Sequence, residues 1–393
     1  MKRIIHKAVK SAAFALFFCM SSALFAYTPY RIEAVDTRSE GFGGPYFTDT
    51  SSLYALFSNP AALAFTKEKT LLPPITAITL SGPLDKMLKL GLDSAGGKVD
   101  LKDPEVSAGI LLDMIGDSGF SFGTKIGGPL TFGAIRNNFG WGFINTTHAD
   151  GSIFSLSRSD IRAGTGLAFV AGYGFPFDFG KGGILSVGLS GRGTVQFETI
   201  YTKSITAFIS EDPMKKLPFY LSLGLGFDMG IQYSVGEIMS FALVYQDVYT
   251  PTWTKIYRDV YALEKLEGGP FTIAQTESKL GFGVKAELPI KKIAGNIVPE
   301  WVLYADYNNI WPLLLPNKLY RNPILELAFG TEVLLFHRVL ALRLGVNDMY
   351  PAAGIGLNLG KFKMDFSVFG KELGLEPGFN PQLNVGFSML IKY

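Results

Sequence analysis

The sequence predicts an all-β fold: a transmembrane, antiparallel, up-and-down β-barrel of about 14 strands, preceded by an N-terminal hatch or plug segment. Three observations predict it. The 393 residues are 48% hydrophobic and 13% aromatic but only 18% charged, against about 25% charged in soluble domains. Long segments alternate apolar with small or polar residues at period 2. The connections between those segments tend to alternate between long and short, as they do when loops gather at one end of a barrel and tight turns at the other.

Residues 1–26 read as a signal peptide. Lys2, Arg3, Lys7 and Lys10 make a basic start, and the apolar stretch Ala12–Met20 is too short and too early for a spanning helix. Cleavage is expected after Ala26, with Ala23 as the alternative. Cys19, the only cysteine, lies in this leader. The bulky Phe17 and Phe18 precede it where a lipid-attachment site wants small residues, so a lipid anchor is not expected. Once the leader is removed, the chain needs no disulfide. No later run of about 18 apolar residues is present, which argues against spanning helices. A net charge of +2 without a Lys/Arg run gives no electrostatic case for nucleic acid.

The barrel is expected over 67–393, with strands near 70–80, 129–137, 139–148, 161–175, 183–198, 219–233, 238–249, 275–288, 298–308, 323–335, 338–347, 351–359, 361–369 and 382–393. From Phe219 to Tyr233 every odd position is apolar, while the even ones include Ser222, Gly224, Gly226, Asp228, Gly230 and Gln232. Such a run far exceeds the common strand length of about 5–6 residues in soluble proteins. Pro73 and Pro74 make the first strand the least regular, since proline cannot donate to a ladder. Long loops are expected at 81–128, 149–160, 199–218, 250–274, 309–322 and 370–381, and short turns at Asn137-Asn138, Phe336-His337 and Gly360. In lipid every backbone N–H and C=O needs an internal partner, so alternating strands in this number should close into a ring. The last strand carries Leu383, Val385, Phe387, Met389, Ile391 and Tyr393 in phase. A terminal amphipathic strand ending in an aromatic residue resembles the signal read by the outer-membrane assembly machinery.

Residues 27–66 do not alternate in this way. They hold the glycine-rich Gly41–Gly44, then Asp49, then the run Ala55–Ala64 with Asn59-Pro60-Ala61 inside it. A barrel of this size has a lumen too wide for its own side chains to fill, so a compact segment before the first strand is a natural plug. Here the chain resembles the FadL-like family of outer-membrane transporters for long-chain fatty acids and other hydrophobic molecules, whose hatch carries an Asn-Pro-Ala motif. The resemblance in architecture covers 27–393, and the match at motif level about 40–65. It implies outer-membrane localisation, a hydrophobic ligand captured at the external loops, an inner pocket beside the hatch, and passive diffusion once the hatch shifts.

On that reading Tyr46, Phe47, Leu53, Tyr54, Leu56 and Phe57 are candidates for ligand contact, with plug packing as their ordinary role. In the first long loop Leu84, Met87 and Leu88, and further on Val106, Ile110, Met114 and Ile115, fall at helical spacing. They would serve a capture groove or simply pack on the rim. A carboxylate head group calls for Arg or Lys. Arg136, Arg162 and Arg192 are the first candidates, followed by Lys279, Lys285 and Arg343, each of which is more simply a solvated lumen or rim charge. Gly164, Gly166, Gly172 and Gly174 would allow a bulge in the fourth strand.

Enzymatic readings find little support. His6, His148 and His337 are the only histidines, none in a metal-binding spacing. The grouping of His148, Asp150 and Ser152 is more simply a solvated strand end. No metal and no cofactor is expected. The expected partners are a long-chain fatty acid or similar molecule, outer-membrane lipids and the assembly machinery, with the barrel monomeric. The alternatives are a non-transporting scaffold or secretion-partner barrel, and a general porin for polar solutes.

Overall fold

Alternation decides which face of a strand meets lipid, and here the faces are inverted relative to a soluble protein. In the computed structural model, Leu225 and Phe227 are 54% and 59% exposed, while Asp228 and Gln232 on the same strand are 4% and 1% exposed. The structure describes residues 29–391 except 45, 68, 72–75, 97–108, 111–112, 114–118, 156, 205–216, 237, 291–296 and 316–319. The leader with Cys19, and the terminal Tyr393, lie outside the described residues.

The strands are β1 (Lys69–Leu71), β2 (Thr76–Ser81), β3 (Phe120–Gly127), β4 (Phe132–Arg136), β5 (Phe139–Ser155), β6 (Arg158–Asp178), β7 (Ile184–Lys203), β8 (Phe219–Val235) and β9 (Met239–Tyr249). They continue with β10 (Pro251–Tyr257), β11 (Phe271–Gln275), β12 (Lys279–Leu288), β13 (Glu300–Tyr307), β14 (Leu327–Leu335), β15 (Leu340–Asn347), β16 (Tyr350–Leu359), β17 (Phe362–Glu372) and β18 (Pro381–Ile391). β1 with β2, β3 with β4, β9 with β10, and β11 with β12 each form one interrupted stave, which brings the 18 described strands to the predicted fourteen staves. All pairings are antiparallel, and the ring closes where β18 pairs with β2, Val385 opposite Leu80 and Phe387 opposite Ile78. Every stave thereby gains a neighbouring stave on both sides, which lipid demands.

The turns follow their local chemistry. Asn137 and Asn138 both take positive φ (51° and 64°) between β4 and β5, and asparagine tolerates the left-handed region that a two-residue hairpin of primed type needs. On the other side of the ring the strands run further than expected. β5 continues to Ser155 and β6 begins at Arg158, so 149–160 is mostly strand rather than a loop. The expected loop at 250–274 contains the hairpin of β10 and β11, and the second stave begins at Phe120 instead of 129. Above the lipid an outer face no longer has to be apolar. The alternation that marks a strand fades there while the backbone ladder persists.

Residues 29–66 lie inside the ring against its polar face. Their path is written into the wall as small residues. Ile32 lies over Gly166 of β6, Val35 over Gly127 of β3, Thr37 beside Gly386 of β18, Gly41 over Gly354 of β16, Phe42 over Gly330 and Gly345 of β14 and β15, and Phe47 over Gly281 of β12. The segment then reaches Gly230 of β8 with Asn59, Gly188 of β7 with Ala61, and Gly174 of β6 with Ala64, whose N would lie 2.8 Å from a Cβ built there. It has travelled round the inner wall. Its apolar side chains enter the main buried clusters. Phe42, Tyr46 and Tyr304 stack with centroids 4.9–5.2 Å apart, and Leu53, Leu56 and Leu63 cluster with Ile135 and Val170.

Candidate functional site

Two buried ion networks hold the N-terminal segment. In the first, Arg31 donates to Asp228 at 3.0 and 3.1 Å and to Asp247 at 2.5 Å, while Arg192 bonds Asp228 from the wall. In the second, Arg38 donates from Nη1 to Asp49 at 2.6 Å and through Nε and Nη2 to both oxygens of Glu332 at 3.0 and 2.5 Å. Arg343 joins Glu332 at 2.7 Å and Asp365 at 2.8 Å. A charge in mid-strand of a membrane barrel needs a partner, and in each network the segment supplies an arginine.

Asn59 adds a neutral lock. Its Oδ1 accepts from the N–H of Ala61 at 2.9 Å, capping the short 3-10 helix Pro60–Ala64, and its Nδ2 donates to the Phe47 carbonyl at 2.8 Å and to Gln232 at 3.0 Å. Pro60 sits at the first helical position, where its missing N–H is no loss. Asn59→Ala removes a cap and two buried hydrogen bonds. The expected cost is about 3–4 kcal/mol, at about 1–2 for the cap and about 1 for each of the two further bonds. Urea unfolding in detergent checks it; an unchanged midpoint would refute the locking role.

Toward the loop end, above this filled interior, lies a cavity of about 350 Å³. Its walls include Phe122, Ile161, Ile200 and Leu373, and among them Asp150, Ser152, Asp160, Arg162 and Gln382. Below it, the Tyr30 hydroxyl and His148 Nδ1 are 2.9 Å apart, and His148 Nε2 lies 3.4 Å from Glu198 and 3.9 Å from Asp150. Arg162 Nε forms an ion pair with Glu198 at 2.9 Å. Lys279 lies 3.5 Å from Glu33 of the segment. Burial pushes the Glu40 carboxyl up, opposed by Lys371 and Lys125.

Of the basic head-group candidates, Arg162 lines the cavity. Arg192 and Arg343 are buried within the two networks, and Arg136 is exposed beside the Asn137-Asn138 turn at the opposite end. Tyr46, Phe47, Leu53 and Leu56 are buried in the packing of the segment, and Tyr54 and Phe57 are half-buried; none of the six is among the cavity-lining residues. Met87 and Leu88 fall on the helix Leu84–Ala95, Ile110 is half-buried, and Met114 lies outside the described residues. Ser152 bonds Ser121 at 2.7 Å rather than His148. Sequence reasoning missed Tyr30, Arg31 and Arg38. The signal was the density of charge in Arg31–Glu40, facing isolated wall charges such as Asp228 between glycines.

A closed ring with an apolar outer face and an interior occupied by its own N-terminal segment is the architecture of a plugged outer-membrane β-barrel. No family model matches the sequence, and no curated protein matches it. Among solved structures the chain is similar to the Pseudomonas putida toluene transporter TodX, at TM-score 0.47 and 11% identity over 93% of this chain and 100% of that one. It is similar to the CymD monoaromatic hydrocarbon channel, at TM-score 0.48 and 10% identity over 93% and 99%. A Pseudomonas aeruginosa FadL homologue is similar at TM-score 0.43 and 11% identity over 92% and 98%. These likenesses concern architecture and not ligand, and the fourteen-stave ring rests on the strand pairing described above.

Proposed function

We propose that the protein is an outer-membrane channel for the uptake of hydrophobic small molecules, long-chain fatty acids among them. Residues 27–66 act as a hatch that must shift before anything passes, and 67–393 form the conducting barrel. The carrying observation is a partly apolar cavity at the loop end of a lumen otherwise filled by the N-terminal segment. Such a segment speaks against a general porin, which needs an open aqueous lumen. Apolar burial gives about 0.8 kcal/mol per CH₂, so an alkyl chain can bind there with few polar contacts. Outer-membrane lipids surround the barrel, the assembly machinery inserts it through the last strand, and it works as a monomer.

The test is to titrate the folded barrel with a fluorescent long-chain fatty acid, identify lipids extracted from the native protein by mass spectrometry, and record planar-bilayer conductance. Saturable binding with low steady conductance is expected. A large ohmic conductance would make the protein a porin. No saturable binding to a folded barrel would leave a scaffold or secretion-partner barrel.

A further inference from the structure

We propose that Arg31 is a clasp across a break in the barrel wall, so that displacement of the N-terminal segment and loosening of the ladder between β8 and β9 are one event. This deepens the reading of residues 27–66 as a hatch and rests on it.

The break is a register fault. β8 and β9 pair without interruption from Val235 opposite Met239 to Met229 opposite Tyr245, and again at Phe227 opposite Tyr249. Between those points Asp228 alone opposes three residues, Gln246, Asp247 and Val248. On the other edge of the same stave, the ladder with β12 stops at Gln246 opposite Lys279 and resumes between β10 and β11 at Pro251 opposite Gln275. Asp247 takes φ 51°, a left-handed conformation uncommon outside glycine. Extra residues of this kind bend a strand and interrupt its pairing. Side chains stand in for the missing ladder. The Asp247 N–H donates to Asp228 Oδ1 at 2.7 Å, and the Thr250 hydroxyl donates to Asp247 Oδ1 at 2.9 Å.

This stitching leaves two buried carboxylates facing each other across the break, and Arg31 answers both. Its Nη1 lies 3.1 Å from Asp228 Oδ1 and 2.5 Å from Asp247 Oδ2, and its Nη2 lies 3.0 Å from Asp228 Oδ2. Nη2 also donates to the Phe57 carbonyl at 3.2 Å, which ties the clasp to the turn before Asn59. The wall's own Arg192 bonds Asp228 but comes no nearer than 4.0 Å to Asp247. Two guanidiniums balance two carboxylates while the segment is in place. Once it leaves, Arg192 stays with Asp228, and Asp247 becomes a buried charge without a bonded cation on the least paired stretch of the stave. A charge stranded in this way is strongly destabilising, and the poorly paired residues around it are the ones that give way. Coupling is reciprocal, so a wall held shut must also hold the segment.

The experiment uses the full-length barrel in a Cys19→Ser background. Nitroxide labels on Phe227→Cys/Tyr249→Cys, outward positions opposite each other at the break, report the separation of β8 and β9. Labels on Leu189→Cys/Met229→Cys, opposite each other on the unbroken β7–β8 ladder, are the control. Arg31→Met is expected to lengthen and broaden the first distance distribution and leave the second unchanged, and adding Asp247→Asn is expected to narrow the first again. A second arm keeps Arg31: oxidising the Phe227→Cys/Tyr249→Cys pair to a disulfide should slow protease cleavage within 29–66 by at least about fivefold relative to the reduced form. Heat-modifiable migration on gels confirms that each barrel is folded, and if Arg31→Met does not fold the disulfide arm decides. An unchanged distribution in folded Arg31→Met, or cleavage indifferent to the disulfide, overturns the coupling and leaves the hatch reading standing. Labels that broaden while 29–66 stays uncut in every form would confine Arg31 to bracing the wall and overturn both.

Discussion

Arg38→Met is expected to unlatch the N-terminal segment and turn a quiet barrel into a conducting one. The substitution leaves Asp49 and Glu332 facing each other across a buried space with one guanidinium, that of Arg343, remaining on Glu332. Breaking a buried ion pair by removing one partner costs about 3–5 kcal/mol, because the other charge is left uncompensated. The cheapest relief is for the segment to leave the wall and admit water. Planar-bilayer recording should show raised conductance, and limited proteolysis should cut within 29–66 while the barrel stays whole. Adding Glu332→Gln removes one of the stranded charges and should recover part of the wild-type behaviour. A variant as silent and as protease-resistant as the parent would show that the ion network does not hold the segment.

Gly188→Leu is expected to have an effect of similar size for a different reason. A Cβ at Gly188 would coincide with the backbone of Pro60 and Ala61, and backbone cannot swing aside as a flexible side chain can. Overpacking usually costs about 1–3 kcal/mol, and this clash falls on the capped helix that follows Asn59. The control lies three residues along on the other face of β7. Gly191 points outward, where a Cβ would approach only the Phe227 ring at 3.9 Å, so Gly191→Leu should leave thermal stability and conductance unchanged. Gly188→Leu should lower the unfolding midpoint or raise conductance. Equal behaviour of the two variants would remove the glycine track as a structural requirement.

The legibility of the sequence follows from these forces. The fourteen staves could be read because lipid imposes a long apolar file on one face of each strand, as from Phe219 to Val235 on β8. Where β5, β6 and β10–β11 rise beyond lipid, that constraint lapses, and their continuations look like loop. The segment around Asn59-Pro60-Ala61 was visible as a break in the alternation. Its partners were not, since pairing Arg38 with Glu332 joins residues 294 positions apart and no local pattern records the register that brings them together. Arg162 was legible as an inward charge. Its neutralisation by Glu198 depends on β6 and β7 lying side by side, with Arg162 opposite Ile200 and Gly164 opposite Glu198.

The route of the N-terminal segment bears on how the barrel is made. Val35 lies over Gly127 of β3 and Thr37 beside Gly386 of β18, and these two strands flank β2, where the first stave meets the last. The segment therefore bridges the joint from within, like a splint laid across a seam. During assembly β18 and β2 would be brought together along a strip bound on both sides of the gap. A chain without residues 29–66 would have to find its final register unaided, so deleting the stretch that fills the finished lumen is expected to slow the step that seals it.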